Sequence, residues 1–244
     1  MKKLLIIFAN SIKQLEKACK LNDADTCAFL GAKYYSGEDF PKNTELAIKF
    51  FKKACELDTT DGCIKLGTMY KEGLGVKKDI SKAIEFYNKA CQKGDVRGCF
   101  VIGDMYDKGE GVKQNYSKAI KFYTKACIGG SAKGCNNLGV MYEHGKGIER
   151  DYYVAIKLYA KACEKGDVIG CNNLGNMYLK GLGVKQDFTK AKELYTKTCI
   201  VEHAKGCFNL GIMYYDGKGI EQDYYVAREL FEKSYNRGYA IGCS

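Results

Sequence analysis

Cysteines carry the most specific chemistry in this 244-residue chain, because all but one of its 13 cysteines fall into pairs eight residues apart. Regular pairs of this kind in a helical sequence indicate disulfides and an oxidising compartment. A zinc site would instead use Cys-x-x-Cys spacing or neighbouring histidines, and the chain has no Cys-x-x-Cys and only His144 and His203. We therefore predict six disulfides, no metal site and no cofactor. The predicted pairs are Cys19–Cys27, Cys55–Cys63, Cys91–Cys99, Cys127–Cys135, Cys163–Cys171 and Cys199–Cys207.

The sequence gives little support to a catalytic function. The Ser-x-x-Lys, Ser-Asp-Asn and Lys-Thr-Gly motifs of serine β-lactamases are absent. Two separated histidines do not make the zinc site of a metallo-β-lactamase. His144 is interpreted as a surface histidine rather than a general base. We name no catalytic residue and leave the enzyme question open, with a non-enzyme as the expectation.

The cysteines belong to a strict internal period that organises the whole chain. The segment from Gly134 to Cys171 begins and ends with Gly-Cys, and near copies lie one period away on either side. In its first half, Cys135, Leu138 and Tyr142 follow the i, i+3, i+7 spacing of one helix face. We predict an all-α solenoid of about six 36-residue helix–loop–helix repeats. The repeats begin near residues 24, 60, 96, 132, 168 and 204.

Helix ends follow from the same comparison. Asp95 is a predicted N-cap of a first helix and Gly109 its C-terminal stop. The predicted N-caps of the second helices are Asp79, Asn115, Asp151, Asp187 and Asp223. Met141 and Tyr159 are interpreted as packing residues. Each cysteine pair then joins the last turn of one helix to the first turn of the next.

Both ends of the sequence depart from the period. Residues 1–10 contain two lysines and a short apolar run, which indicates either a signal-peptide remnant or an apolar cap on the first helix. Residues 11–244 are predicted to form a single solenoid domain, with 240–244 as a truncated repeat. Cys243 lacks a partner because Tyr235 occupies the pairing position. We predict a free thiol at Cys243 in a monomer, with a Cys243-linked dimer as the alternative.

The distribution of charged and apolar residues argues against nucleic-acid binding and against a membrane span. The net charge of +10 comes from lysines distributed through every repeat, whereas a nucleic-acid footprint would cluster on one element. No stretch has the length and apolar character of a membrane span. We predict neither a nucleic-acid partner nor a membrane-spanning segment.

One face of the first helix varies between repeats while the core positions stay constant. On a helical wheel this face lies opposite Leu138 and Tyr142, and it is rich in asparagine, whose amide both donates to and accepts from a peptide backbone. It is interpreted as a ligand-binding face, with free variation of an unburied face as the alternative. The predicted ligand-binding residues are Asn136, Asn137, Val140, Glu143, His144, Asn172, Asn173, Asn176 and Asn209.

The repeat motif L-G-x-M-Y-x-x-G-x-G-V-x-x-D-x-x-x-A-I-x-x-Y-x-K-A-C resembles the Sel1-like repeat, a relative of the tetratricopeptide repeat. The Cys-x7-Cys in every unit resembles the secreted Helicobacter cysteine-rich protein family. The resemblance implies a right-handed α/α superhelix whose first helices line a concave groove, in an exported bacterial protein. It also implies two activities described for the family, penicillin binding with weak β-lactam hydrolysis and engagement of host cells.

We therefore expect a secreted or periplasmic scaffold that binds a peptide, a protein or a cell-wall fragment in its groove, from the host or from the cell wall. The alternative is a penicillin-binding protein with weak β-lactamase activity, which rests on the resemblance alone.

Overall fold

The computed structural model describes residues 12–201 and 203–239, and all regular secondary structure in these ranges is helical. Residues 1–10 and 240–244, including Cys243, lie outside the described residues, so the predictions made for them remain predictions. The chain divides into two compact units, residues 1–114 and 115–244. The prediction of a single domain over 11–244 likewise remains a prediction.

Helices follow one another in pairs through both units. The first unit contains α1 (12–20), α2 (Ala24–Ser36), α3 (Thr44–Glu56), α4 (Thr60–Glu72), α5 (Ile80–Gln92) and α6 (Val96–Lys108). The second contains α7 (Tyr116–Ile128), α8 (Ala132–His144), α9 (Tyr152–Glu164), α10 (Val168–Lys180), α11 (Phe188–Ile200), α12 (Ala204–Asp216) and α13 (Tyr224–Tyr235). The predicted all-α helix–loop–helix repeat of a solenoid is confirmed.

Caps at both helix ends explain why every repeat has the same length. Asp151 begins α9 by accepting a hydrogen bond from the backbone N–H of Val154, and the predicted caps at the equivalent positions do the same. Gly145 ends α8 with a φ of 67°, and its N–H donates to the carbonyl of Met141. A side chain is strained at that φ, so glycine recurs at this position.

Small residues let the two layers of helices approach closely. A Cβ built on Gly134 of α8 would lie 2.8 Å from the Cβ of Ala126 on α7. Ala155, Tyr159 and Ala162 of α9 are fully buried, as the sequence spacing predicted. Each repeat therefore buries a face that it could not bury alone.

Disulfides close the turn between each second helix and the next first helix. The six predicted pairs are all present, with Cα–Cα distances of 4.5–4.9 Å. Each bridge closes a loop of about nine residues, which contributes about 2.5 kcal/mol in the loop-entropy account. The bridges fix the junctions through which one repeat positions the next.

Candidate functional site

Tyrosines from the second helices reach the variable face of the first helices. The ring of Tyr159 lies over Gly139 of α8, where an added Cβ would be 2.7 Å from the ring. The ring of Tyr195 lies over Gly175 of α10 in the same way, also at 2.7 Å. Because glycine leaves room for the ring, the hydroxyl emerges beside the face that the sequence comparison selected.

The tyrosine hydroxyls hold residues of this face in place. Tyr159 donates a hydrogen bond to the carboxylate of Glu143, and Tyr195 donates to Oδ1 of Asn176 at 2.6 Å. Burial raises the pKa of the Tyr195 hydroxyl above its usual value of 10. Burial, and then the hydrogen bond to Glu143, raise the pKa of Tyr159. Both hydroxyls therefore stay protonated and act as donors at physiological pH.

Asparagine side chains form a first hydrogen-bonded chain across α7, α8 and α10. Asn137 donates from Nδ2 to the hydroxyl of Tyr123 at 3.1 Å. Asn136 donates to Oδ1 of Asn137 at 3.2 Å, and Asn173 of the next repeat donates to Oδ1 of Asn136 at 3.0 Å. The amides thus join neighbouring repeats as well as lining the face.

A second chain joins α10, α11 and α12. Asn209 donates from Nδ2 to Oδ1 of Asn172 at 2.9 Å and to Oδ1 of Asn176 at 3.4 Å. Nδ2 of Asn172 has no hydrogen-bond partner among the described residues, although the residue is only 1% exposed. A buried donor without a partner costs about 1–3 kcal/mol. The centre of the second chain therefore holds an unused donor.

Two predicted positions differ from the structure. Asn136 is 6% exposed and Asn172 is 1% exposed, so the prediction that they lie on an open face is wrong. They lie on the flank of the first helix that faces the following repeat, and Asn173 and Asn209 hydrogen-bond to them from that side. The remaining predicted residues are accessible. Asn137, Val140, Glu143, Asn173, Asn176 and Asn209 are half-buried, and His144 is exposed.

The corresponding face of the first unit has a different chemistry. Lys71 of α4 pairs with Glu110 at 3.1 Å, and Lys108 of α6 pairs with Asp104 at 2.8 Å. Tyr87 donates to the hydroxyl of Thr68 at 3.1 Å. A hydrogen bond from a second-helix tyrosine hydroxyl to the first helix is therefore found in both units, whereas the asparagine chains belong to the second unit.

Two cavities lie away from the asparagine face. One, of about 590 Å³, is lined by residues of α11 and by Val201, and another, of about 440 Å³, lies between α3 and α5. The asparagine face carries hydrogen-bonded side chains from three first helices, α8, α10 and α12. In the part of the chain that the structure describes, no cluster of His, Cys, Asp and Glu could hold a metal ion. No helix within 12–201 and 203–239 has the length and apolar character needed to cross a bilayer.

Repeats of one family account for most of the chain. The Sel1 repeat model matches residues 24–58, 60–95, 96–131, 132–167, 168–199 and 204–239. The chain belongs to the Sel1 repeat family. Sel1 repeats generally mediate protein–protein interactions, which supports a protein-interaction role for this disulfide-rich repeat scaffold.

Solved structures similar to this Sel1 repeat chain come from several bacteria. A protective antigen of uropathogenic Escherichia coli with an SLR fold is 30% identical with a TM-score of 0.87, over 95% of this chain and 50% of that chain. The chain thus spans half the length of this relative. A Sel1 repeat protein from Oxalobacter formigenes is 28% identical with a TM-score of 0.78, over 88% of this chain and 89% of that one.

A third similar structure is the Helicobacter pylori cysteine rich protein B. It is 34% identical with a TM-score of 0.44, over 55% of this chain and 97% of that one. Among curated proteins, none matches the chain significantly.

Sequence reasoning missed the tyrosine hydroxyls, because Tyr159 was interpreted as a packing residue only and Tyr195 was not singled out. A signal was present in the aligned repeats. Four successive repeats have tyrosine at this position, where Phe51 and Phe231 show that phenylalanine also fits. The recurrence of a hydroxyl where an apolar ring would pack indicates that the hydroxyl has a polar partner.

Proposed function

We propose that the chain is an exported scaffold that binds an extended peptide, or an unfolded segment of a protein, across α8, α10 and α12. The observation that carries this proposal is the set of accessible asparagine side chains on three successive first helices, namely Asn137, Asn173, Asn176 and Asn209. An extended peptide backbone presents carbonyl and N–H groups that match amide side chains.

The spacing of the helices limits the ligand length. Packed helices lie about 8–10 Å apart, so three successive first helices span about 20 Å. An extended chain covers this distance in about six residues, at roughly 3.3 Å per residue. Side chains that are already ordered lose less entropy on binding. The disulfide at each junction holds neighbouring repeats in place and so keeps the side chains of the face ordered. The same bridges support export to the periplasm or the medium, because disulfides persist in oxidising compartments.

Binding selection with a defined probe tests the proposal. A phage-displayed library of random linear peptides of about ten residues is selected on the oxidised chain. We expect recovered peptides to lose at least about tenfold in affinity, roughly 1.4 kcal/mol, when Asn176 and Asn209 are both replaced by alanine. The matched control is Asn88→Ala on α5, outside the face, which should change nothing. The proposal is wrong if no peptide is enriched, or if both variants bind the recovered peptides as the wild type does.

Cell-wall peptides belong to the same ligand class. Their binding is tested by titrating synthetic stem peptides against the same variants. No observation on this face favours β-lactam hydrolysis, which stays a prediction from the family resemblance.

A further inference from the structure

One border of the asparagine face is formed by Lys133, Ile169 and Lys205, in the first turns of α8, α10 and α12. Each stands four residues before an asparagine of the face, such as Asn137 on α8 and Asn209 on α12, so it lies on the same side of its helix. All three residues are exposed. We call them the lysine edge. A ligand that lies on the asparagine face therefore also lies beside the lysine edge.

The two lysines of this edge carry charge that the chain does not balance. Neither Lys133 nor Lys205 forms an ion pair or a side-chain hydrogen bond with a residue in 12–201 or 203–239. Asp167 lies at the start of α10, but its carboxylate caps that helix by accepting from the N–H of Gly170 at 2.6 Å. An exposed cation without a counter-charge favours a ligand of the opposite charge.

The equivalent positions of the first unit are balanced by an internal ion pair. Asp25, Asp61 and Arg97 occupy them. Arg97 donates through Nη2 to Asp61 at 2.5 Å and to Asp95 at 2.6 Å. The unpaired lysines thus occur in the same unit as the asparagine chains, and the unit without those chains satisfies its charges internally.

The asparagines between the lysine edge and the far side of the face still have free acceptors. Asn173 and Asn209 donate to neighbouring amides, and Oδ1 of each has no hydrogen-bond partner among the described residues. These oxygens can accept from the N–H groups of a peptide backbone. On the far side lie Val140 of α8 and Ile212 of α12, both half-buried. The face therefore has a basic border, a polar middle and an apolar far side.

The distance between the two lysines sets the spacing of the charges that can pair with them. Lys133 and Lys205 lie on first helices two repeats apart, which places them about 20 Å from each other. An extended peptide spans this distance in about six residues, at roughly 3.3 Å per residue. Side chains an even number of residues apart point to the same side of an extended chain, and the alternate ones point to the opposite side.

We propose that the ligand is a peptide with two acidic residues about six positions apart, which pair with Lys133 and Lys205. Alternate residues between the two acids are apolar and contact Val140 and Ile212. This inference rests on the proposed function and names the class of peptide that the face selects. Like-charged ligands are rejected, because a basic residue at either end of the peptide would meet an uncompensated lysine.

The phage selection described above tests this inference when its peptides are analysed for acidic pairs. Recovered peptides are synthesised with blocked termini, so that only their side chains are charged, and titrated by fluorescence anisotropy. Replacing Lys133 and Lys205 together by glutamine should weaken binding at least about fivefold, because two exposed ion pairs are lost. The matched control replaces Lys125 on α7 and Lys197 on α11 by glutamine. It lowers the net charge equally and should leave the affinity unchanged.

Charge reversal gives the sharpest result. The chain with Lys133→Glu and Lys205→Glu should reject the recovered peptides and bind the same peptides when lysine replaces both acidic residues. Far-UV circular dichroism checks that every variant keeps its helices. If recovered peptides depend on Asn176 and Asn209 but bind the lysine variants as the wild type does, this inference is wrong and the proposed function stands. Equal losses in the control pair also contradict it, since net charge alone would then explain binding. If no peptide is enriched, the proposed function is wrong and this inference is wrong with it.

Discussion

Asn136 and Asn172 occupy equivalent positions one repeat apart, and we predict that the same substitution has different effects at the two. Asn136 uses both ends of its amide, donating to Asn137 at 3.2 Å and accepting from Asn173 at 3.0 Å. Asn172 only accepts, from Asn209 at 2.9 Å, and its buried Nδ2 finds no partner in the described part of the chain. The pair therefore separates the stabilising effect of hydrogen bonds from the cost of an unused donor.

The magnitudes follow from these bonds. Asn136→Ala removes two hydrogen bonds, each worth about 0.5–1.5 kcal/mol, and leaves two amide groups without their partner. We expect a loss of about 2–3 kcal/mol in the free energy of unfolding. Asn172→Ala removes one such bond but also removes a buried donor that costs about 1–3 kcal/mol. The two contributions offset each other, so we expect a change within about 1 kcal/mol.

Urea denaturation of the oxidised chain, followed by far-UV circular dichroism, measures both variants under the same conditions. The denaturation midpoint of Asn136→Ala should fall clearly below that of Asn172→Ala, with similar slopes. Equal destabilisation by the two substitutions would refute this reasoning, because it would mean that Nδ2 of Asn172 is satisfied in solution.

Three further predictions test other parts of the structure. Gly175→Ala forces a methyl group against the ring of Tyr195 and should lower the free energy of unfolding by about 1–3 kcal/mol, measured in urea. His203 caps α12 by accepting from the N–H of Gly206 through Nδ1. Its pKa is lowered from 6.5 by burial and then by Lys205, so its stabilisation is present above pH 6.5 and is lost as the pH falls below that value. His203→Asp should therefore remove the part of the acid sensitivity of the urea midpoint that lies between about pH 7 and 5. Reduction of the six disulfides with dithiothreitol should lower the thermal midpoint strongly, because each bridge contributes about 2.5 kcal/mol, and circular dichroism of reduced and oxidised protein measures the difference.

Repetition explains why the scaffold could be predicted from sequence. The cysteine pairs, the cap at Asp151 and the glycine at Gly145 recur at fixed positions, so each repeat independently indicates the same local structure. The buried side of the first helix also follows from spacing, as Leu138 and Met141 show. These features depend on contacts within a repeat or between adjacent helices.

Features that depend on how one repeat lies on the next could not be predicted in the same way. A helical wheel shows that Asn136 lies opposite Leu138, but it does not show which flank the following first helix covers. The following first helix covers the flank that carries Asn136 and Asn172, so these residues are buried while Asn176 stays accessible. The hydroxyl of Tyr195 was missed for a related reason, because the pattern of buried positions does not distinguish tyrosine from phenylalanine.

The most direct test of the proposed binding face is nuclear magnetic resonance of the asparagine side-chain amides. A peptide recovered by the phage selection is added to the ¹⁵N-labelled, oxidised chain, and the side-chain NH₂ resonances are followed. The account predicts shifts for Asn173, Asn176 and Asn209 and none for Asn88. A peptide that binds with unchanged resonances for the first three residues would contradict the account, because the ligand would then lie on another surface.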